Sequence, residues 1–349
     1  MAASPCGWSR HSHSNEFQPG KLEDHPPRGD CRRCATLAAC QARVGNAFTS
    51  ADTHVREYPT VQAVLRFGEI LSEKTKGRLS VKAYAGGQLG NERDTLEITT
   101  FGGLDFNRVN LAPLNSIEPL TKVAALPFLF ESTGHMRTTL DGEIGEEILA
   151  SLEPHGLIGL CFYDSGSRSF YNTRGPINSP ADMQGLKLRV PGSDLYVSMV
   201  QSLGADAVPM PLDEVYQSLA QGVIDGAENN WPSFESGKHF EVAGYYSLTN
   251  HLLAPEVFVM SKISWDKLSG DDQALVREAA KQSVPYMRRL WDEQVARSKA
   301  IIENSGVAVN EVDPAPFAEL MTGMWDQSLD SSRQRELVAR IQSLRGGGQ

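Results

Sequence analysis

Three arginines lie at or beside the ends of predicted β-strands, where their side chains could hold an anion. Arg189 lies near the end of one predicted strand, while Arg168 follows a second and Arg108 ends a third. A guanidinium is always charged, and its planar fork binds a carboxylate through two hydrogen bonds. Strand ends in an α/β sheet border the crevice where ligands bind. These residues therefore favour an organic acid as ligand, although each arginine could instead pair with an acidic residue of the protein.

Amide and aromatic side chains follow a further predicted strand. Residues 225–232 read Asp-Gly-Ala-Glu-Asn-Asn-Trp-Pro, which includes Asn229, Asn230 and Trp231. Amides donate to and accept from hydroxyls, and an indole offers an apolar face to a sugar ring. Trp231 could equally pack in the core. Together with the arginines, these residues favour an acid that also carries hydroxyls.

The sequence contains none of the common catalytic motifs that we considered. A serine nucleophile elbow, a Walker A loop, the zinc motif His-Glu-x-x-His and a dinucleotide fingerprint are absent. The glycine-rich segment 85–90 is interpreted as a turn between a strand and a helix. Cys161 lies in the apolar run 157–162 and is predicted to be a buried thiol. We therefore expect no catalytic residue, no metal and no cofactor.

The elements that must position these residues alternate between strands and helices. The pattern predicts strands over 47–52, 79–84, 104–109, 158–163, 187–190, 207–209, 224–228 and 256–261. It predicts helices over 58–75, 91–100, 194–203 and 213–221, and a helical turn over 181–184. This order is typical of an α/β fold with a parallel or mixed sheet.

A long helix is predicted after these units. Ser269 begins its capping sequence, apolar residues recur at helical spacing, and the run ends near Asn304. Pro285 lies inside it, where a kink is expected. A run of about 30 residues spans about 45 Å, which exceeds one small lobe. We therefore expect this helix to run across two lobes.

Composition restricts the class of partner. The 349 residues suit two lobes better than one simple core, and the formal net charge is −10. A nucleic-acid-binding protein would usually show a basic surplus, which this chain lacks. No apolar run approaches the roughly 20 residues that span a bilayer, so no membrane-spanning helix is predicted.

The first 46 residues differ in composition from the rest. Residues 1–31 are rich in His, Pro, Gly, Ser and Arg without a hydrophobic period, which predicts disorder. Two arginines and the short apolar stretch 34–40 then resemble a degenerate secretory signal. One alternative is lipid attachment at Cys40. Another is zinc binding by Cys31 and Cys34 with nearby histidines, although no second ligand pair follows.

Several motifs, in this order, resemble the solute-binding proteins of TRAP transporters, the DctP family. They occupy residues 87–90, 126–130, 185–190, 209–216 and 221–229. The resemblance runs from about residue 48 to about residue 341. It implies a two-lobed, periplasmic-binding-protein-like α/β fold with a long lobe-spanning helix, which closes on a carboxylate.

The implied lobes are discontinuous in sequence. We expect lobe I over 47–166 plus 252–290 and lobe II over 167–251 plus 291–345, after a leader over 1–46.

The resemblance also implies ligand-binding roles. The arginine of the Lys-x-Arg-Val motif, here Arg189, forms the salt bridge to the ligand carboxylate in this family. Arg168 matches a second cationic contact, and Asn229 matches an amide contact. The other positions that we expect at the cleft are His54, Glu92, Asn110 and His251 from the family pattern, and Arg108 from its place beside Asn110.

Departures from the family pattern narrow the ligand. Pro113 stands where sialic-acid binders carry a further arginine, which argues against sialic acid. Leu212 replaces an aromatic residue that often stacks on the ligand, which weakens any stacking interaction there. The segments 51–54, 107–110, 227–232 and 254–257 resemble the branch that binds hexuronates such as glucuronate and galacturonate. A C4-dicarboxylate or a 2-oxo acid is the alternative within the family, although a short dicarboxylate would leave some polar groups unpaired.

The resemblance finally implies a location and a partner. We expect a periplasmic monomer that delivers a small organic acid to the membrane permease subunits of a TRAP transporter. A sensor-type binding protein that presents its closed form to a signalling partner is the alternative.

Overall fold

The computed structural model describes residues 46–346, in which nine strands form one mixed sheet. The strands are β1 Asn46–Ala51, β2 Leu79–Tyr84, β3 Phe106–Asn110, β4 Leu157–Asn172, β5 Lys187–Val190, β6 Asp206–Pro209, β7 Gly226–Asn229, β8 Tyr245–Ser261 and β9 Ala308–Glu311. Their order is β2-β1-β3-β8-β4-β7-β5-β6, and β9 pairs with the start of β8. The leader predictions, namely disorder, signal processing, lipid attachment at Cys40 and zinc at Cys31 and Cys34, lie outside the described residues.

Helices connect and cover these strands. The α-helices are α1 Pro59–Lys74, α2 Glu92–Thr100, α3 Thr133–Asp141, α4 Glu143–Ala150, α5 Asp194–Ser202, α6 Val215–Ala220, α7 Trp231–Ser236, α8 Lys262–Trp265, α9 Gly270–Glu303, α10 Ala315–Ser328 and α11 Ser332–Ser343. Short 3-10 segments lie at Ala112–Ser116, Pro119–Ala125, Glu153–His155, Pro180–Met183, Leu212–Glu214 and His239–Glu241. Across residues 46–346, none of the helices has the length and apolarity required to cross a bilayer.

Two groups of parallel strands flank a long antiparallel pair. Strands β1 to β3 form one parallel group, and β5 to β7 form the other. β3 ends opposite Glu256 in the middle of β8, and β7 ends opposite Ser169 in β4. The carboxyl ends of both groups therefore meet at the middle of β4 and β8. An α/β sheet offers its ligand crevice at such strand ends.

The two central strands are much longer than the sequence predicts. The segments 158–163 and 256–261 are parts of β4 and β8, which have 16 and 17 residues. Polar residues in the other parts of both strands interrupt the apolar pattern, which is why the prediction stopped short. Arg168 consequently lies inside β4 and not after a strand. A register shift between Asp164 and Ser167 bends β4 here, where Gly166 has a φ of +61°.

The long helix α9 is confirmed. Its N-cap is Ser269, whose side chain accepts a hydrogen bond from the Asp272 backbone, and its 34 residues continue through Pro285. It packs against α1 near its start and against α7 further along. A Cβ atom at Gly166 would lie 2.9 Å from the Trp291 Nε1 atom. α9 therefore contacts β4 at its bend, beside the carboxyl ends of both parallel groups.

Buried side chains form several hydrophobic clusters around the sheet. One cluster packs α1 and α9 against the sheet and contains Phe67 and Phe258, and another centres on Tyr171 and Tyr246. Cys161 belongs to the first cluster, which confirms that it is a buried thiol. Burial raises the pKa of this thiol to about 12, so it carries almost no thiolate at neutral pH.

The last helix contacts early segments of the chain. The His135 Nε2 atom lies 3.0 Å from the Ile341 carbonyl oxygen, and the Gln334 side chain donates to the Pro119 carbonyl at 2.7 Å. Pro119 and His135 fall in the predicted lobe I, and α11 in the predicted lobe II. The lobe bounds stay a prediction.

Candidate ligand-binding site

The predicted site residues converge on the meeting point of the strand ends. Arg108 and Asn110 lie on β3, Asn229 ends β7, Arg168 lies on β4 and His251 on β8. The remaining predicted residues are His54, which follows β1, Glu92, which begins α2, and Arg189, which lies on β5. The charges of Arg168 and Glu92 both act on Arg189, which indicates that the three share one region.

Arg189 has no acidic partner. It is 4% exposed, and it is the one buried arginine within residues 46–346 that forms no salt bridge. Its Nε atom donates to the Met210 carbonyl at 2.9 Å, while no acceptor within the described residues binds Nη1 or Nη2. Burial lowers the pKa of Arg189, but a guanidinium stays charged at neutral pH. An unpaired buried charge is costly, so this site calls for an anion.

Arg168 is already paired. Its Nε and Nη2 atoms donate to the two carboxylate oxygens of Glu228 at 2.5 and 2.7 Å, and both side chains are buried. Burial raises the pKa of Glu228, but the opposing charge of Arg168 outweighs it and brings the pKa to about 2. The Arg168 Nη1 atom has no partner in the described chain. Arg168 therefore keeps one terminal nitrogen for a ligand.

Arg108 is fully engaged within the protein. Its Nε and Nη2 atoms donate to the Asp52 carboxylate, and Nη2 also donates to the Thr53 hydroxyl. Its Nη1 atom donates to Glu92 at 2.9 Å and to Glu256 at 2.5 Å. These contacts use all five N–H donors of the side chain. Arg108 thus gathers three carboxylates around one fully buried cation.

Glu92, one of the three carboxylates around Arg108, keeps one oxygen without a hydrogen-bond partner in the described residues. Its Oε1 atom accepts from Arg108 and from the Asn110 backbone at 3.0 Å, whereas Oε2 has no partner in residues 46–346. Its side chain keeps 21% exposure. Burial, reinforced by the Glu256 and Asp52 carboxylates, raises the pKa of Glu92 to about 7 despite the charge of Arg108. Glu92 can therefore accept a hydrogen bond from a hydroxyl.

The predicted amides Asn110 and Asn229 differ in how many of their side-chain donors and acceptors already form hydrogen bonds. The Asn110 side chain donates to Glu256 at 3.3 Å and accepts from the Ala112 backbone at 2.9 Å. The Asn229 side-chain oxygen accepts from the Asn230 backbone at 2.9 Å, and its amide nitrogen has no partner in the described chain. Asn229 is thus the amide whose side-chain N–H groups are available to a ligand.

The two predicted histidines are buried and neutral. Burial, followed by the positive charges of Arg108 and Arg168, holds the pKa of His54 well below its usual range. His54 stacks on Tyr58 with ring centroids 3.7 Å apart. Burial also lowers the pKa of His251, which stacks on Phe170 at 4.2 Å.

One nitrogen of His251 lacks a partner. The Nδ1 atom lies 2.9 Å from the Thr249 hydroxyl. The Nε2 atom is 3.6 Å from Glu228, beyond hydrogen-bond distance, and makes no hydrogen bond within residues 46–346. A buried nitrogen without a hydrogen-bond partner could form one with a bound ligand.

The sequence reasoning missed four side chains of this region. Asp52, Glu228 and Glu256 supply the carboxylates that orient Arg108 and Arg168. Tyr196 is a buried tyrosine whose hydroxyl has no partner in the described chain. Asp52, Glu228 and Glu256 lie inside segments that resemble the hexuronate-binding branch, whereas nothing near Tyr196 in the sequence suggested a site.

Several hydrogen bonds join the chain segments on either side of the crevice, including one from the Asn230 side-chain amide to the Ser165 carbonyl at 2.7 Å. The Tyr58 hydroxyl lies 2.9 Å from the Ser233 hydroxyl oxygen, and the Asn115 amide donates to the Ser193 hydroxyl at 2.9 Å. Each bond joins the predicted lobe I to the predicted lobe II.

These groups suit the site to an anionic, hydroxylated small molecule, at the point where the ends of the two parallel strand groups meet. Arg189 and the free nitrogen of Arg168 are suited to its negative charge, and Glu92 and Asn229 to its hydroxyls.

Known proteins identify the family. The model of the bacterial extracellular solute-binding protein family 7, DctP, matches residues 50–332. A TRAP periplasmic solute-binding protein from Bradyrhizobium sp. BTAi1, solved in complex with α/β-D-galacturonate, is 51% identical, with a TM-score of 0.84 over 85% of this chain and 100% of that chain. One from Chromohalobacter salexigens with bound D-glucuronate is 43% identical, with a TM-score of 0.83 over 85% and 100%.

A curated relative agrees with these structures. A solute-binding protein of Chromohalobacter salexigens is 45% identical over 291 residues, which cover 83% of this chain and 87% of the relative. The chain belongs to the DctP family of TRAP solute-binding proteins, which confirms both the resemblance and the two-lobed α/β fold.

Proposed function

We propose that this protein is the periplasmic receptor of a TRAP transporter and that its ligand is a hexuronate, D-galacturonate or D-glucuronate. The observation that carries the proposal is the buried Arg189, whose two terminal nitrogens have no acceptor in residues 46–346. Structural neighbours that carry these two sugar acids support the choice of ligand. The receptor binds as a monomer, performs no catalysis and delivers the ligand to membrane permease subunits.

Five predicted residues contact the ligand through atoms that have no hydrogen-bond partner in residues 46–346. Arg189 binds the carboxylate through Nη1 and Nη2, and Arg168 adds its Nη1 atom. The Asn229 amide donates to a hydroxyl or ring oxygen, and the Glu92 Oε2 atom accepts from a hydroxyl. The neutral rings of His54 and His251 line the same space, and the unpartnered Nε2 atom of His251 supplies a further contact.

Arg108 and Asn110 contribute indirectly. Every N–H donor of Arg108 already binds Asp52, Thr53, Glu92 or Glu256, so Arg108 holds the acceptor Glu92 in place. The Asn110 backbone donates to the same Glu92 oxygen at 3.0 Å. Both act as positioning residues in this proposal.

Binding closes the predicted lobes, 47–166 plus 252–290 and 167–251 plus 291–345. Without an anion, closing the lobes would bury Arg189 with no acidic partner among residues 46–346, and a bound carboxylate supplies that partner. The Tyr58–Ser233 and Asn115–Ser193 hydrogen bonds stabilise the closed form. Small-angle scattering should show a smaller radius of gyration with saturating ligand, and an unchanged radius would contradict closure.

A thermal-shift screen of organic acids tests the ligand. At about 1,000 times its dissociation constant, a ligand stabilises the native state by about 4.1 kcal/mol. For a protein of this size the melting temperature should rise by roughly 5–15 °C with D-galacturonate or D-glucuronate.

Matched compounds serve as controls. Galactose and glucose lack the carboxylate and should give no shift, and succinate, pyruvate and sialic acid should give small shifts or none. If succinate or pyruvate gave the large shift while both hexuronates were silent, the ligand assignment would be wrong although the family would stand.

A further inference from the structure

Tyr196 is a buried polar side chain that the proposed roles leave unused. It is 1% exposed, its ring packs in the largest hydrophobic cluster, and its hydroxyl makes no hydrogen bond within residues 46–346. A buried hydroxyl without a partner has lost its hydrogen bonds to water and gained none in return, so its presence needs an explanation, and a ligand is one. The other buried tyrosine hydroxyls around the site are paired, as with Tyr171 and His239 at 2.7 Å and Tyr246 and the Asn229 carbonyl at 3.0 Å.

The place of Tyr196 in the fold directs its side chain towards the site. It lies in the first turn of α5, which begins a few residues after Arg189 at the carboxyl end of β5. Side chains of a helix point back towards its N-terminus, which here faces the strand ends. The Asn115–Ser193 hydrogen bond holds the residue before this helix against the segment Ala112–Ser116.

The charged side chains that act on the Tyr196 phenol are residues of the candidate site. Burial raises the pKa of Tyr196, and the charged groups that act on the phenol are Arg168, Glu228, Glu256 and Glu92. The phenol is therefore neutral, and a neutral phenol can both donate and accept a hydrogen bond.

We propose that Tyr196 is a specificity-determining residue whose hydroxyl forms a hydrogen bond with a hydroxyl of the bound acid. The inference rests on the proposed function, because it assumes that a hydroxylated acid occupies the site. Tyr196 thus adds a hydroxyl contact from α5, beside the carboxylate contact that Arg189 makes from β5.

The Tyr196→Phe variant separates this role from a structural one. It removes one oxygen that has no partner in the part of the chain that the structure describes, so the melting temperature of the ligand-free protein should stay within about 1–2 °C of wild type, or rise. Affinity for the acid should fall by roughly 5- to 100-fold, because the ligand hydroxyl loses its partner in a dry site. Calorimetry gives the affinity, and thermal unfolding without ligand gives the stability.

Tyr163→Phe is the matched control. The Tyr163 hydroxyl is equally buried but lies 2.7 Å from the Ser283 hydroxyl, behind the sheet. This variant should lose melting temperature and keep wild-type affinity. Wild-type affinity in Tyr196→Phe, or a loss of ligand-free stability as large as in Tyr163→Phe, would overturn the proposal.

The choice of ligand keeps the two proposals distinguishable. The measurement uses whichever hydroxylated acid gives the largest shift in wild type. If that acid is not a hexuronate and Tyr196→Phe still weakens it, the ligand assignment fails and the role of Tyr196 stands. If hexuronates bind wild type and Tyr196→Phe equally well, the role fails and the ligand assignment stands. If only acids without hydroxyls bind, both fail.

Discussion

Replacing Arg189 tests the central feature of the site. The Arg189→Lys variant keeps a positive charge but loses the fork of Nη1 and Nη2 that has no acceptor in the described residues. It also loses the Nε hydrogen bond to the Met210 carbonyl at 2.9 Å. Hydrogen bonds to charged groups contribute about 1.5–3 kcal/mol, so losing the fork should weaken binding by roughly 10- to 150-fold.

A second substitution at the same position tests the electrostatic argument. Arg189→Met removes a 4% exposed cation that has no acidic partner among the described residues. Removing an uncompensated buried charge should leave the ligand-free free energy of unfolding unchanged or raise it by about 1–3 kcal/mol, while binding is lost. A structural arginine would show the opposite, a large loss of stability.

Calorimetry with the best ligand measures the affinity, and denaturant unfolding measures the stability. Arg78→Lys is the control, because Arg78 pairs with Asp272 at the surface with 38% of its side chain exposed, and this change should leave the affinity unaltered. Wild-type affinity in Arg189→Lys would refute the assignment of Arg189 as the carboxylate contact.

Further predictions concern pH and reactivity. The pKa of Glu228, about 2, lies below its ordinary value of 4.5, so Glu228 stabilises the protein above about pH 4.5; about 3 kcal/mol of that stability should disappear between pH 4.5 and 2. Unfolding of Glu228→Gln should lack this pH dependence. The raised pKa of Glu92, about 7, acts in the other direction: stability should increase as pH falls from 7 to 4.5, and Glu92→Gln should abolish the increase. The buried Cys161 should remain unalkylated by iodoacetamide in the native protein at pH 8, as peptide mapping would show, and rapid native modification would contradict its burial.

Local patterns were sufficient for many of the secondary-structure elements. The predicted strands 79–84 and 187–190 agree with β2 Leu79–Tyr84 and β5 Lys187–Val190. The capping residue Ser269 and the helical spacing after it predicted α9. These features depend on residues close together in the chain, so the sequence determines them without knowledge of distant partners.

The sequence alone also predicted three arginines at one crevice, because strand ends of an α/β fold meet there, although Arg168 lies inside β4 and not at a strand end. It could not decide which of them is available to a ligand. Arg108 pairs with Asp52, 56 residues away, and Arg168 pairs with Glu228, 60 residues away, whereas Arg189 pairs with no carboxylate of residues 46–346.

The same limit applied to β4, β8 and Tyr196. Polar residues inside a long strand, such as Ser167 and Arg168, interrupt the apolar pattern, and only their partners across the sheet show that the strand continues. Whether the Tyr196 hydroxyl has a partner depends on every element packed around it. Side-chain type and spacing are local properties of the chain, but the satisfaction of a buried charge or hydroxyl is a property of the whole packed environment, and only the tertiary structure decides it.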